Sequence, residues 1–281
     1  VTLPAFFVAH GSPTLALEDN EYTRFLQKLG QSLPAPKAIV VFSAHFDSPD
    51  QLVTGDEVLN TIHDFYGFPD EMYELTYPAK GHAELTEEIA SLFRAGNLPF
   101  KVITDRGLDH GAWVILRLMY PEANVPVISL SVDSKRSPQE QYEIGRMLQS
   151  LREQDVLIIG SGGTVHNLRL LGSGKPAPWA VEFDQWIGSR LEDWNLRDLF
   201  DYEKRAPHAR EAVPEYGTEH FIPLFYAMGA ADKDRQAQRL FQDYQYGTLS
   251  LNCWQFGGSA SETEAEAEAE AAEEAEEAET A

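Results

Sequence analysis

Short apolar runs alternate with stretches whose apolar residues recur at helical spacing, and this alternation fills most of the 281-residue chain. Leu3 to Ala9 reads as a first strand. After the turn His10-Gly-Ser-Pro, the residues Tyr22, Phe25, Leu26 and Leu29 fall on one face of a helix over Glu21 to Gln31. Pro34-Ala-Pro36 ends that helix before a strand at Ala38 to Phe42. The polar, aromatic-rich stretch Asn60 to Asp70 is too irregular for a core element and is expected to form a loop over a site. A helix from His82 to Ala95 and a strand at Phe100 to Thr104 follow. The second half predicts a helix over Ala112 to Tyr120, a strand at Val127 to Val132, a helix over Gln139 to Glu153 and a strand at Val156 to Ile159. That last strand ends in Gly160-Ser-Gly-Gly. Helices near Ala180 to Trp194 and His220 to Ala230 come next, then a closing pair of edge strands around Phe241 and Leu249 to Trp254. Strand and helix in alternation predict an α/β fold, a single domain with a central, mostly parallel sheet flanked by helices and with edge strands at the C-terminus.

Composition changes this picture at one end. Ser259 to Ala281 is nearly all Glu and Ala, with ten glutamates and no basic residue. Such a segment has too little apolar surface to pack, so a catalytic domain is expected over residues 1–256 and a disordered acidic tail over residues 257–281. Without those glutamates the net charge falls from -23 to -13. An acidic body offers no basic groove, which argues against nucleic acid as a partner. The single cysteine, Cys253, excludes an internal disulfide and a cysteine-built zinc site, leaving histidine and carboxylate as ligands. The start Val1-Thr2-Leu3-Pro4 has no basic region leading into an apolar run, and no apolar run is long enough to span a membrane. A cytoplasmic chain without membrane contact is expected. The aromatic-rich edge from Tyr244 to Trp254 is a candidate surface for pairing with another subunit, but the sequence leaves the oligomeric state open.

The histidines carry the chemistry. Four of the eight follow apolar stretches, in small-residue turns or at a helix start: His10, His45, His166 and His220. In open α/β sheets, ligands collect in the crevice outside the carboxyl ends of the strands, so histidines placed there converge even when far apart in sequence. For His10, His45 and His220 this pattern outweighs the alternative of surface or hydrogen-bonded core residues. Thr218 is expected to cap the helix at His220, and Glu219 beside it is an alternative oxygen ligand. His82 and His208 lie in polar, exposed surroundings, and His63 is intermediate. Gly160-Ser-Gly-Gly lacks the spacing of a phosphate loop or a dinucleotide fingerprint. Its glycines are expected instead to let the backbone turn sharply and aim His166 into the crevice.

Six ordered strings carry a family resemblance: His10-Gly-Ser-Pro, Ser43-Ala-His45, Thr61-Ile-His-Asp-Phe-Tyr-Gly-Phe-Pro, Leu108-Asp-His110-Gly-Ala-Trp113, Gly-Gly-Thr-Val-His166-Asn-Leu and Thr218-Glu-His220-Phe-Ile-Pro223-Leu. From Leu3 to about Phe256 the chain resembles the 4,5-DOPA extradiol dioxygenase family, class III ring-cleaving enzymes related to the protocatechuate 4,5-dioxygenase β-subunit. The resemblance implies a non-haem metal centre, Fe(II) for ring cleavage with Zn(II) as an alternative occupant. It implies His10, His45 and His220 as ligands, with Glu219 in reserve. His166 would be the catalytic base, or a fourth ligand in a zinc-loaded form, and His110 the remaining pocket histidine. Small-molecule catechol and O2 would be the reactants.

Histidine suits such chemistry because its ordinary pKa lies nearest neutrality, so it can take a catechol hydroxyl proton and later return it. Three side-chain ligands leave open positions for both reactants. Phe46, Phe65, Tyr66 and Trp113 are candidate apolar walls for a planar substrate. Ser12 and Asp64 are candidates to hydrogen-bond it or to orient a ligand histidine. The alternatives are a non-catalytic metal-binding or scaffold protein on the same fold and a zinc-dependent hydrolase.

Overall fold

The computed structural model describes residues 2–258, so of the tail expected over residues 257–281 the stretch 259–281 lies outside the described residues, while Gly257 is buried and bonds the Gln236 carbonyl. Eight strands form one sheet in the order β4-β3-β5-β2-β6-β1-β8-β7. They are β1 (Ala5–Ala9), β2 (Ala38–Asp47), β3 (Gln51–Thr54), β4 (Phe100–Ile103), β5 (Val127–Val132), β6 (Val156–Gly162), β7 (Ala237–Gln245) and β8 (Leu249–Phe256). The four central strands, β5, β2, β6 and β1, run parallel, and the antiparallel pair β8 and β7 closes one edge. The helices are α1 (Glu21–Ser32), α2 (Glu71–Glu74), α3 (Ala83–Ala95), α4 (His110–Met119), α5 (Pro138–Met147), α6 (Pro178–Glu192), α7 (Leu196–Phe200), α8 (Tyr202–Arg205), α9 (Ala209–Ala212) and α10 (Pro223–Gly229).

The central strands are apolar on both faces, as a sheet covered twice requires. Phe7, Val40, Phe42 and Ile158 pack on one side with residues of α3, α5, α6 and α10. Phe6, Val8, Ile39, Val41 and Ile159 pack on the other with residues of α1 and α4. Every residue of β1, β5 and β6 is buried, which is why these strands are apolar apart from small serines and glycines. Reciprocal side-chain and backbone bonds fix two helix starts, Asn20 with Thr23 at α1 and Ser137 with Glu140 at α5. Among the described residues no helix is long and apolar enough to cross a membrane.

Four local expectations need correction, each for a physical reason. β2 does not stop at Phe42; it continues to Asp47 through a register shift against β5, so His45 lies within the strand and not in a turn beyond it. Such an irregularity re-aims a side chain without ending the strand. The helix expected from His220 starts instead at Pro223, because a proline lacks the N–H that would continue a helix through it, and a 3-10 turn over Glu215–His220 precedes it. No side chain caps α10, and the Thr218 hydroxyl bonds carbonyls of Pro214 and Glu215 in that turn. The helix expected to reach Glu153 tightens after Met147 into a second 3-10 turn, Gln149–Gln154.

The fourth correction bears on the site. Gly160 and Gly162 belong to β6, and neither has the positive φ that would mark a special turn. Their small size is what matters: a Cβ on Gly160 would lie 2.4 Å from the Pro223 carbonyl oxygen, and one on Gly162 would lie 2.1 Å from the His220 carbonyl oxygen. Gly163, by contrast, has nothing nearer than 3.7 Å. Gly162→Ala is therefore expected to cost about 1–3 kcal/mol through overpacking, while Gly163→Ala stays near wild type. Urea unfolding of both variants checks this, and equal losses would contradict the close-packing account.

Candidate metal centre

Five histidines from five segments meet at the carboxyl ends of β1, β2 and β6, which are neighbours in the sheet. His10 directly follows β1, His45 lies near the end of β2, His110 is the first residue of α4, His166 lies in the loop after β6 and His220 closes the 3-10 turn before α10. All five line one cavity of about 350 Å3. The ring centroids of His10 and His45 are 4.9 Å apart, those of His10 and His220 5.3 Å, and those of His45 and His110 3.9 Å. His166 stacks on His220 at 3.6 Å with the rings almost parallel.

The end of β6 organises this cluster. The Ser161 hydroxyl donates to the Gly111 carbonyl and so must accept from Nδ1–H of His10, 3.0 Å away. That bond assigns the His10 proton to Nδ1 and frees Nε2. The Gly162 carbonyl accepts from the His10 backbone N–H, and the Gly163 N–H donates to the His220 carbonyl at 2.8 Å. Tyr22 of α1 donates its hydroxyl to the Ala9 carbonyl, holding the chain just before His10.

Carboxylates hold the other rings. Asp109 caps α4 by accepting from Ala112 N–H, and it also accepts from the Ser43 hydroxyl at 2.6 Å and pairs with Arg106. Asp64 accepts from the His110 backbone N–H at 2.9 Å, and its carboxylate lies 2.9 Å from His110 Nδ1 and 3.8 Å from His45 Nδ1. Glu219 meets His220 at Nδ1, 3.2 Å away, which leaves Nε2 of His220 buried without a partner. As an oxygen ligand Glu219 is thus less well placed than the ring it orients. The buried carboxylate of Asp184 in α6 accepts from Thr164 and Ser250, and Ser250 N–H bonds the Val165 carbonyl, steadying the segment that carries His166.

The imidazoles of His10, His45, His166 and His220 are held neutral. Burial, then the mutual repulsion of neighbouring imidazoles, pushes His45 down to about 2, and the same two causes push His10 well below its usual range. Burial chiefly takes His166 and His220 down to about 3. Neutral imidazole is the form that ligates a metal. The donor set also fits an ion geometrically. His10 Nε2 and His45 Nε2 are 3.1 Å apart. Two nitrogens each about 2.1 Å from one ion and subtending roughly 95° would stand about that far apart. His10, His45 and His110 form a group whose donor atoms all lie within 4.8 Å of one another. His220, expected to be the third ligand, adds the unpartnered Nε2.

The remaining candidates separate clearly. Ser12, Phe65 and Phe68 line the cavity. Asp64 sits behind His45 and His110 as an orienting group. Phe46 and Trp113 do not line the cavity: Phe46 is buried under the Arg106 guanidinium, and Trp113 is a core residue whose indole N–H donates to the Ile62 carbonyl. Tyr66 points to solvent and is 92 % exposed. His82 caps α3, and His208 pairs with Glu182 at the surface. The sequence reading passed over Ser161 and Asp109, and over Leu168, Leu171 and Tyr246 in the cavity wall. Ser161, Asp109, Leu168 and Tyr246 all lay in segments already singled out, but there the glycines, the histidines and the edge strand drew the attention.

Comparison with known proteins points to one family. Residues 4–253 match the family described as the catalytic LigB subunit of aromatic ring-opening dioxygenase. A protein of Escherichia coli (strain K12) named "4,5-DOPA dioxygenase extradiol" is 38% identical over 261 residues, covering 91% of this chain and 95% of the relative. One of the same name from Beta vulgaris is 39% identical over 262 residues, covering 89% and 95%. The crystal structure of an uncharacterized protein from Escherichia coli K12 superposes with a TM-score of 0.76 at 34% identity, covering 91% of this chain and 100% of that one. Neither a hydrolase nor a scaffold is the reading these likenesses favour.

The cluster makes metal-free stability depend on pH. Unfolded, these histidines take up protons near their ordinary pKa of 6.5, whereas folded His166 and His220 resist until about 3 and His45 until about 2. Between those limits the unfolded chain binds more protons, so folding stability falls as pH drops. The slope reaches up to about 1.4 kcal/mol per pH unit for each such histidine. Unfolding in the presence of a chelator from pH 7.5 to 4.5 is expected to follow this decline, and a flat profile would contradict the buried, neutral cluster.

Proposed function

The chain belongs to the aromatic ring-opening extradiol dioxygenase family, and on that premise we propose that it cleaves a DOPA-like catechol, a 1,2-diol ring bearing a substituent, with O2 at a non-haem Fe(II) held by His10, His45 and His220. The observation that carries this reading is the pair of Nε2 atoms of His10 and His45 facing each other at 3.1 Å, with the unpartnered Nε2 of His220 in the same cavity. His110 is the near alternative to His220, since its donor atoms lie closer to the pair. Bound there, iron would hold diol and O2 side by side and pass electrons between them. Zn(II) suits the same nitrogen donors and would be the occupant of a resting form.

The chain's own residues account for the proton transfers. His166 is unprotonated at neutral pH, so a free ring nitrogen is ready to accept a catechol hydroxyl proton. Its low pKa reflects burial, then the neighbouring His220 ring, and the negative charge of an ionised diol beside it would favour the imidazolium. In that form it becomes the acid that returns a proton as the ring opens to a semialdehyde. His110, oriented by Asp64, is the second proton carrier. Ser161 and Glu219 hold the His10 and His220 rings with Nε2 free, and Phe65 and Phe68 shield the ring of the substrate from water. The buried, unpaired Cys253 is compatible with the reducing cytoplasm we propose as its compartment.

Anaerobic Fe(II) loading followed by L-DOPA and catechol in air is expected to give oxygen uptake matched to a yellow ring-opened product. Ester hydrolysis without oxygen uptake would favour a hydrolase instead. His10→Ala is expected to lose both bound metal and turnover. His166→Ala should keep its metal and lose turnover by about 100-fold or more, the usual scale of one general acid–base group. Metal analysis beside oxygen-electrode rates separates the two, and full activity in His166→Ala would remove it from the proton path.

A further inference from the structure

Resting on the reading of His45 as a metal ligand, we propose that Arg106 is a positioning residue of the metal centre, one that holds His45 by its backbone rather than by its ring. His10 and His220 each have a partner at Nδ1, whereas the Asp64 carboxylate stands 3.8 Å from Nδ1 of His45, beyond hydrogen-bond reach. The sheet gives His45 little hold either. Phe42 pairs with Leu130 of β5 and Ser43 with Ser161 of β6, pairing with β5 resumes only at Asp47, and residues 44–46 have no paired residue in either neighbouring strand. Side chains take over. The His45 N–H donates to the Ser43 hydroxyl oxygen at 3.2 Å, and the His45 carbonyl accepts from Nη2 of Arg106 at 3.1 Å.

Both grips lead back to Asp109. This carboxylate is only 1 % exposed; one of its oxygens accepts from the Ser43 hydroxyl at 2.6 Å and the other pairs with Nη2 of Arg106 at 3.2 Å. A carboxylate so deep needs a counter-charge, and Arg106 supplies it. The same guanidinium lies over the Phe46 ring, 3.6 Å from its centre, so it holds the peptide between His45 and Phe46 from two directions. Asp109 also caps α4, so the group that starts the helix at His110 anchors the strand at His45. The fit around it is close: a Cβ on Gly111 would lie 2.6 Å from Ser43 Oγ and 3.0 Å from His45 Cδ2. An arginine–aspartate pair on an open surface contributes little, but this one is tied to the backbone of a ligand. Removing the guanidinium frees the His45 carbonyl, and a drift of about 0.5 Å is enough to spoil a ligand set.

The test uses the full chain with Zn(II) as the probe. Affinity is measured by competition against a chelator, ligand geometry by the visible absorption of the Co(II)-loaded protein, and stability by urea unfolding of the metal-free protein. Arg106→Met keeps an apolar stem over Phe46 and removes the donor; it is expected to weaken Zn(II) binding about 10- to 100-fold and to alter the Co(II) spectrum. Ser43→Ala, at the other grip, should weaken binding in the same direction. So should Arg106→Lys, which keeps a charge for Asp109 but loses the guanidinium fork, and these two variants decide if Arg106→Met does not fold. Arg152→Met is the control for stability alone. That buried arginine bonds the Leu3 and Ala230 carbonyls and Asp234 near the amino ends of β1 and β6, away from the cavity, so its loss should destabilise the chain yet leave Zn(II) affinity within about twofold. Unchanged Zn(II) affinity, an unchanged Co(II) spectrum, or an equal loss of affinity in Arg152→Met overturns the positioning role. Unchanged Zn(II) affinity in His45→Ala overturns instead the ligand reading on which it rests.

Discussion

The candidate site depends on the last residues of β6, which tie together side chains that the sequence keeps far apart. Ser161 holds the His10 ring through Nδ1 and reaches the Gly111 carbonyl beside His110. Gly162 accepts from the His10 backbone and lets the His220 carbonyl approach where any side chain would collide. Gly163 completes the link to His220. Because β6 lies between β2 and β1, the strand that carries His45 and the strand that ends at His10 are held on either side of it. One strand end therefore sets the spacing of the cluster, through the hydroxyl of Ser161 and through Gly160 and Gly162, where a Cβ would meet a carbonyl oxygen.

That spacing works against folding and in favour of binding. Packing several imidazoles into one buried cavity forces them to stay neutral and leaves the Nε2 of His220 without a partner. An unsatisfied buried polar atom costs about 1–3 kcal/mol. The fold tolerates this because the sheet is packed on both faces and because Ser161, Asp64 and Glu219 stand behind the His10, His110 and His220 rings. The same features that weaken the metal-free chain hold free nitrogen lone pairs close together, which is what a small cation requires.

The cavity has two halves of different origin. Its floor comes from strand ends and helix starts, where hydrogen bonds fix position closely, while its mouth comes from loops that bring Phe65, Phe68, Leu168, Leu171 and Tyr246 together. Rigid elements suit groups that must meet an ion at a set distance. Loops suit residues that choose among substrates, because their length and side chains change without disturbing the sheet.

The sequence by itself determined the elements and the identity of the chemistry. Side-chain periodicity is a local property, so the apolar runs of β1, β5 and β6 and the face of α1 were legible without knowledge of the fold. His10, His45, His166 and His220 stood out by their local placement at element ends, and His110 through the family resemblance. What depends on strand order was not legible. The continuation of β2 through His45, the short strand β3, and the burial of Phe46 and Trp113 in the core follow from neighbours far away in the chain. Gly160-Ser-Gly-Gly looked like a turn because glycine is read first for its backbone freedom, yet its role is to be small where another segment passes. Only the tertiary structure brought the carbonyl of His220 against Gly162, since contact between residues so distant in sequence is decided by how the sheet and its covering helices pack.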